Sequence, residues 1–188
     1  YYKLARAVGA ELARAGFATL TGGGPGIMEA ANRGAHEAGG ASFGLNIILP
    51  HEQSANPYVD AGISFRYFFT RKVCLVKYSC AFIVMPGGLG TLDELFEAAT
   101  LIQCQKIGPF PLVLMGEKFW DGMRKWGQFM RRQGVFTEDE VGFGRVTASL
   151  GAPHDACAQG GDVHGKIENV EWHTTRARSV AQEVALLD

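Results

Sequence analysis

Glu94 closes the run Pro86-Gly87-Gly88-Leu89-Gly90-Thr91-Leu92-Asp93-Glu94, which sets a carboxylate beside a loop built for anions. Three glycines let the backbone approach a ligand closely, and a helix that starts here aims its unpaired N–H groups at the same spot. Phosphate is the usual occupant of such a junction. A pure phosphate binder gains nothing from a negative charge in the first helical turn. An enzyme that must stabilise positive charge near a bound phosphate ester gains a great deal.

A second glycine cluster supports a nucleotide cleft. Residues 17–21 read as a strand, Gly22-Gly23-Gly24 as a turn, and Pro25-Gly26-Ile27-Met28 as a helix start, with Pro25 suited to the first helical position. The run is not G-x-x-x-x-G-K-[ST], and Ile27 spoils a G-x-G-x-x-G fingerprint, so nucleoside triphosphatase and dinucleotide dehydrogenase readings rank low. A triple glycine after a strand can equally be a tight turn that lets helix and strand pack closely. Two such junctions in one short chain favour the cleft.

The elements that must position these residues follow from periodicity. The chain has 188 residues, 47% of them hydrophobic, and a net charge of −1. That is enough for one globular domain, with no charge signal for nucleic acid or a membrane surface. Cys74, Cys80, Cys104 and Cys157 show no C-x-x-C spacing, and the first three lie in apolar surroundings, as reduced core residues of a cytoplasmic protein do. Helices are expected over 1–15, 25–38, 71–78, 91–105 and 117–133, and strands over 17–21, 42–49, 63–69, 80–85 and 112–115. This alternation predicts an α/β, doubly wound, Rossmann-like parallel sheet with helices on both faces. Ligands of such sheets bind beyond the carboxyl ends of the strands, where both glycine turns, Glu52 and Arg71 fall.

Two features depart from that plan. The chain opens with a helix rather than a central strand, so an N-terminal strand is expected to be missing. Residues 1–140 read as one nucleotide-binding domain, and 141–188 as an atypical segment of it or a divergent tail, with helical pattern returning over 179–187. His154, Cys157, His164 and His173 match no zinc spacing and read as solvated or core side chains; no metal is expected.

Thr21 through Ala30, then Arg71-Lys72, then P-G-G-L-G-T-L-D-E together closely resemble the Lonely Guy family over residues 1–140. Its characterised members are cytokinin riboside 5′-monophosphate phosphoribohydrolases, and relatives hydrolyse AMP. Many relatives carry the label "lysine decarboxylase", but no S-x-H-K-like context surrounds any lysine here, as a pyridoxal enzyme would need. The resemblance implies catalytic Glu94 and Arg71. It implies substrate contacts from Glu52, Lys72, Gly87, Gly88, Leu89, Gly90, Thr91, Leu92, Asp93 and Thr100. Gly23, Gly24 and Met28 join them as candidates beside the first glycine turn. It also implies a homodimer acting on a small nucleotide, with neither cofactor nor metal.

The chemistry expected is cleavage of an N-glycosidic bond through an oxocarbenium-like transition state, with a fixed carboxylate beneath the ribose. A non-catalytic nucleotide sensor using the same cleft is the alternative. Each residue also has a plainer reading. Glu94 could be a helix-dipole carboxylate, Arg71 and Lys72 a solvated helix start, Glu52 a loop acid, and Thr100 a hydroxyl bonded to its own backbone. Tyr67, Phe68 and Phe69 are expected in the core, as is Met28, while Trp120 and Trp126 should pack a helix on the sheet or at a dimer interface.

Overall fold

Short apolar runs bounded by turn residues become strands buried on both faces, and the amphipathic stretches between them become the covering helices. A computed structural model describes residues 1–50, 54–108, 111–137, 145–150 and 183–187. The first half holds α1 (Tyr2–Arg14), β1 (Ala18–Thr21), α2 (Ile27–Glu37), β2 (Ser42–Ile47), β3 (Ala61–Phe65) and α3 (Phe68–Lys77). There follow β4 (Ala81–Val84), α4 (Leu89–Gln103), β5 (Leu112–Met115), α5 (Glu117–Arg132), β6 (Arg145–Thr147) and β7 (Glu183–Leu187). The strands form one parallel sheet in the order β3-β2-β1-β7-β4-β5-β6, a doubly wound α/β fold.

Alternation along β4 divides the core in two. Ile83 joins Val8, Leu12, Ala31 and Met115 under α1 and α2, whereas Phe82 and Val84 join Leu75, Leu95 and Trp120 under α3, α4 and α5. On the first face the helices nearly touch backbone to backbone: a Cβ on Gly34 would stand 1.9 Å from the Arg6 carbonyl oxygen. No helix among the described residues is long and apolar enough to cross a membrane.

In the middle of the sheet β7 lies between β1 and β4, its Ala185 level with Leu20 of β1 on one side and Phe82 of β4 on the other. The helix expected over 179–187 is thus a strand over Glu183–Leu187. Five residues gain little as a lone helical turn and much more from pairing with two strand edges at once. Residues 138–144 and 151–182, with His154, Cys157, His164 and His173, lie outside the described residues.

Two helix starts also move. The strand expected over 63–69 ends at Phe65, and α3 begins at Phe68, so Arg71 and Lys72 sit in its second turn rather than its first. Likewise α4 begins at Leu89, which places Glu94 in the second turn. Tyr67, Phe68 and Phe69 are exposed rather than core, because they cap and open α3 at the sheet's carboxyl edge, beyond the strands that would cover them. Cys104, expected in the core, is exposed at the end of α4; Cys80 is buried and Cys74 half-buried. Trp120 is buried beneath α5, its indole N–H donating to the Met115 carbonyl at 2.9 Å, while Trp126 faces outward.

Candidate active site

The two glycine turns meet through one side chain. Arg71 reaches from α3 over the end of β2, where its Nε donates to the Leu45 carbonyl at 2.9 Å. Its Nη2 lies 2.9 Å from Glu94 Oε1, with the two side chains only 13% and 7% exposed. Gly22 supplies the room: a Cβ there would lie 2.8 Å from Arg71 Nη2 and 2.7 Å from Met28 Sδ. Met28 is half-buried beside that pair rather than in the core proper. Buried, ion-paired and in the second turn, Glu94 is not the surface dipole carboxylate of its plainer reading. Arg71 is likewise not a solvated helix start.

The first turn is braced from within. Thr21 Oγ1 accepts the Gly23 N–H at 2.9 Å and donates to Asn32 Oδ1 at 2.7 Å. Asn32 Nδ2 donates to Ser42 Oγ at 2.8 Å. Asn56 donates from Nδ2 to Asn32 Oδ1 and to the Gly24 carbonyl, at 2.9 and 3.0 Å, and from its backbone N–H to the Gly23 carbonyl at 2.8 Å. Gly23 needs its φ of 73°, and its Cα approaches Gly44, where a side chain would collide. The Gly23 amide and both carbonyls are therefore spent on holding the turn. Asn32 and Asn56 escaped the sequence reading. Their only signal was an amide among Ala30, Ala31, Gly34 and Ala35 where an apolar residue belongs, and an Asn before Pro57.

The second turn is left open. Gly88 is the N-cap of α4 and offers no side-chain cap. The first helical bond runs from the Leu92 N–H to the Gly88 carbonyl at 3.1 Å, so the amides of Leu89, Gly90 and Thr91 precede the ladder. Nothing stands within 4 Å of where a Cβ on Gly88 or Gly90 would point. Thr91 is buried, and its Oγ1 has no hydrogen-bond partner among the described residues. A buried hydroxyl without a partner costs about 1–3 kcal/mol, which an incoming acceptor would relieve. Gly87 is half-buried, Leu89 is 85% exposed, and Leu92 packs against the core beside α4.

The remaining candidates fall elsewhere. Lys72 Nζ lies 3.1 Å from Asp93 Oδ2 and 3.1 Å from Glu97 Oε2. Burial pulls its pKa down, but hydrogen bonds to Asp93 and Glu97 outweigh that and hold it above the ordinary lysine value. Thr100 is exposed and its hydroxyl donates to the Phe96 carbonyl at 2.7 Å, the plainer of its two readings. Glu52 lies outside the described residues. Among the described residues no three His, Cys, Asp or Glu side chains cluster as metal donors. What remains is a buried carboxylate fixed by a planar cation, beside an uncapped helix start.

Comparison with known proteins places the chain in a family. The family model described as possible lysine decarboxylase matches residues 28–152, a span that takes in Arg71 and the whole second glycine turn. The chain is 31% identical over 160 residues to cytokinin riboside 5′-monophosphate phosphoribohydrolase of Mycobacterium marinum, covering 84% of this chain and 86% of that one. It is 36% identical over 130 residues to the protein of the same name from Mycobacterium tuberculosis, covering 66% and 67%. Among solved structures it is similar to the Moco carrier protein from Chlamydomonas reinhardtii, with 26% identity, a TM-score of 0.54, and coverage of 85% and 86%.

Proposed function

The chain belongs to the Lonely Guy family, and from that membership we propose that it hydrolyses the N-glycosidic bond of a nucleoside 5′-monophosphate, giving free base and ribose 5-phosphate. The observation that carries this reading is the buried Glu94 carboxylate, held 2.9 Å from Arg71 beside the open start of α4. As the base departs, positive charge develops at the anomeric carbon, and a fixed carboxylate stabilises it without reorganising. Water oxygen bonds to that carbon as the carbon–nitrogen bond breaks. Glu94 takes one proton from that water, the departing nitrogen of the base takes up a proton from solvent, and Glu94 returns its own to solvent, so that neutral base and ribose 5-phosphate leave and the carboxylate is restored. Arg71 keeps Glu94 in place through one nitrogen and Leu45 through another, which leaves further donors of its fork for charge on the base or phosphate.

The 5′-phosphate sits in the loop Gly87, Gly88, Gly90 and Thr91, accepting from the leading amides of α4 and from the Thr91 hydroxyl. Anchoring there is what a nucleoside without phosphate would lack, so rate as well as affinity should fall for it. Cytokinin riboside 5′-monophosphate and AMP are the substrates of this reading, and the cytoplasm its compartment. A homodimer belongs to it too: Tyr67, Phe68 and Phe69 at the start of α3, and Trp126 on α5, are exposed aromatic side chains that a second copy would cover.

Likeness to a carrier protein favours one competing reading, a binder that uses the same cleft without cleaving anything. Incubation of the purified chain with AMP and with isopentenyladenosine monophosphate, followed by chromatography, separates the two. Free base and ribose 5-phosphate support the hydrolase. Tight binding of either nucleotide with no base released supports the carrier.

A further inference from the structure

Resting on the hydrolase reading, we infer that Lys72 is a positioning residue, which ties α3 to α4 through Asp93 and Glu97 and so sets the spacing at which Arg71 meets Glu94. Consecutive residues on each helix make two rungs between them. The inner rung is Arg71 to Glu94 at 2.9 Å, and the outer is Lys72 to Asp93 and Glu97, both at 3.1 Å. Neighbours on a helix diverge by roughly 100°. Arg71 can therefore turn into the cleft only while Lys72 runs along the flank of α4. The two rungs form or fail together, because each fixes the rotation of α3 that the other requires.

Four observations oppose a direct grip of Lys72 on the phosphate. Its ammonium is flanked by two carboxylates, which leaves little net positive potential for a third anion. One of those partners, Glu97, sits more than two turns into α4, about 12 Å of helix rise from Leu89, where the phosphate loop joins α4. The Lys72 side chain is only 19% exposed, so few of its donor directions remain open. The loop already has an anion site of its own in the leading amides and Thr91.

The experiment compares Lys72→Met, Lys72→Arg and Glu97→Gln in the full chain by three measurements. These are kcat for base release, AMP affinity by calorimetry, and the Arg71 Nε–H resonance of the ligand-free protein. Lys72→Met is expected to lower kcat about ten- to a hundredfold, with AMP affinity within about twofold of wild type. Glu97→Gln should reproduce part of that loss although it lies far from the loop, and Lys72→Arg should restore most of it. The Nε–H signal, fixed by the Leu45 carbonyl, should shift and exchange faster in both Lys72→Met and Glu97→Gln. Loss of AMP affinity tenfold or more in Lys72→Met, with Glu97→Gln indistinguishable from wild type and the Nε–H signal unmoved, overturns the inference. Absence of base release from the wild type would instead defeat the hydrolase reading, while affinity and the Arg71 signal would still decide the role of Lys72.

Discussion

One ion pair organises the site, and its removal has two separable consequences. Arg71→Ala leaves the Glu94 carboxylate buried without its cation, a situation that costs about 3–5 kcal/mol. Urea unfolding should show that loss, and the double variant with Glu94→Gln should recover part of it, since the uncompensated charge is gone. Gly22→Ala tests position rather than charge. Its Cβ would press on Met28 Sδ and on Arg71 Nη2, straining the ion pair without removing its charge, so kcat should fall about tenfold or more while the melting temperature drops less than in Arg71→Ala. Sequence singled out Arg71 and Glu94 separately, each by the local run it belongs to, but their contact with each other appears only once α3 and α4 lie side by side. Asn32 and Asn56 were illegible for want of such a run. Each is a lone amide, and the brace they form joins α2, β2 and the loop before β3, segments whose adjacency only the fold reveals. The partners of Lys72 were hidden likewise, because Asp93 and Glu97 face it only once α3 and α4 lie side by side.

Helix starts were the least legible feature of the elements. Gly88 caps α4 without a side chain, so no Ser, Thr or Asp announced that the helix opens at Leu89. Phe68 and Phe69 have strand propensity, which masked the opening of α3. The order of strands and helices was clear nonetheless, since β1, β4 and β5 are buried at every position and β4 and β5 read as unbroken apolar runs. Close packing of α1 on α2 gives a check remote from the site. Gly34→Ala would drive a Cβ into the Arg6 carbonyl, a backbone atom that cannot step aside, and should cost about 1–3 kcal/mol or more in thermal unfolding. The clamp between α3 and α4 adds a pH signature. Lys72 has a folded-state pKa above its unfolded one, so its stabilisation is complete below the unfolded value and fades as pH rises through the folded value. A melting-temperature series from neutral to strongly alkaline pH should show this decline in the wild type, and Lys72→Met should flatten that part of the curve.

At the scale of the whole molecule, the sheet depends on a strand from the far end of the chain. β7 pairs with β1 and β4 at once, so the strands that carry the two glycine turns are held in register by residues remote from both in sequence. A middle member was recognisably needed, but nothing local said that Glu183–Leu187 would supply it, because five apolar-rich residues suit a helix end and a strand equally well. Ala185→Pro removes a backbone donor between Leu20 and Phe82 and orphans a buried carbonyl, at a cost of about 1–3 kcal/mol. Its melting temperature should fall by several degrees, and hydrogen exchange should quicken in β1 and β4 together rather than in β3 or β6. Everything the sheet positions converges on Glu94, and the most direct measurement is base release and AMP affinity of Glu94→Gln beside the wild type, under identical conditions. kcat is expected to fall by about 10²–10⁴ while AMP affinity is retained or improved. A Glu94→Gln protein that cleaves AMP at the wild-type rate would contradict a catalytic role for Glu94.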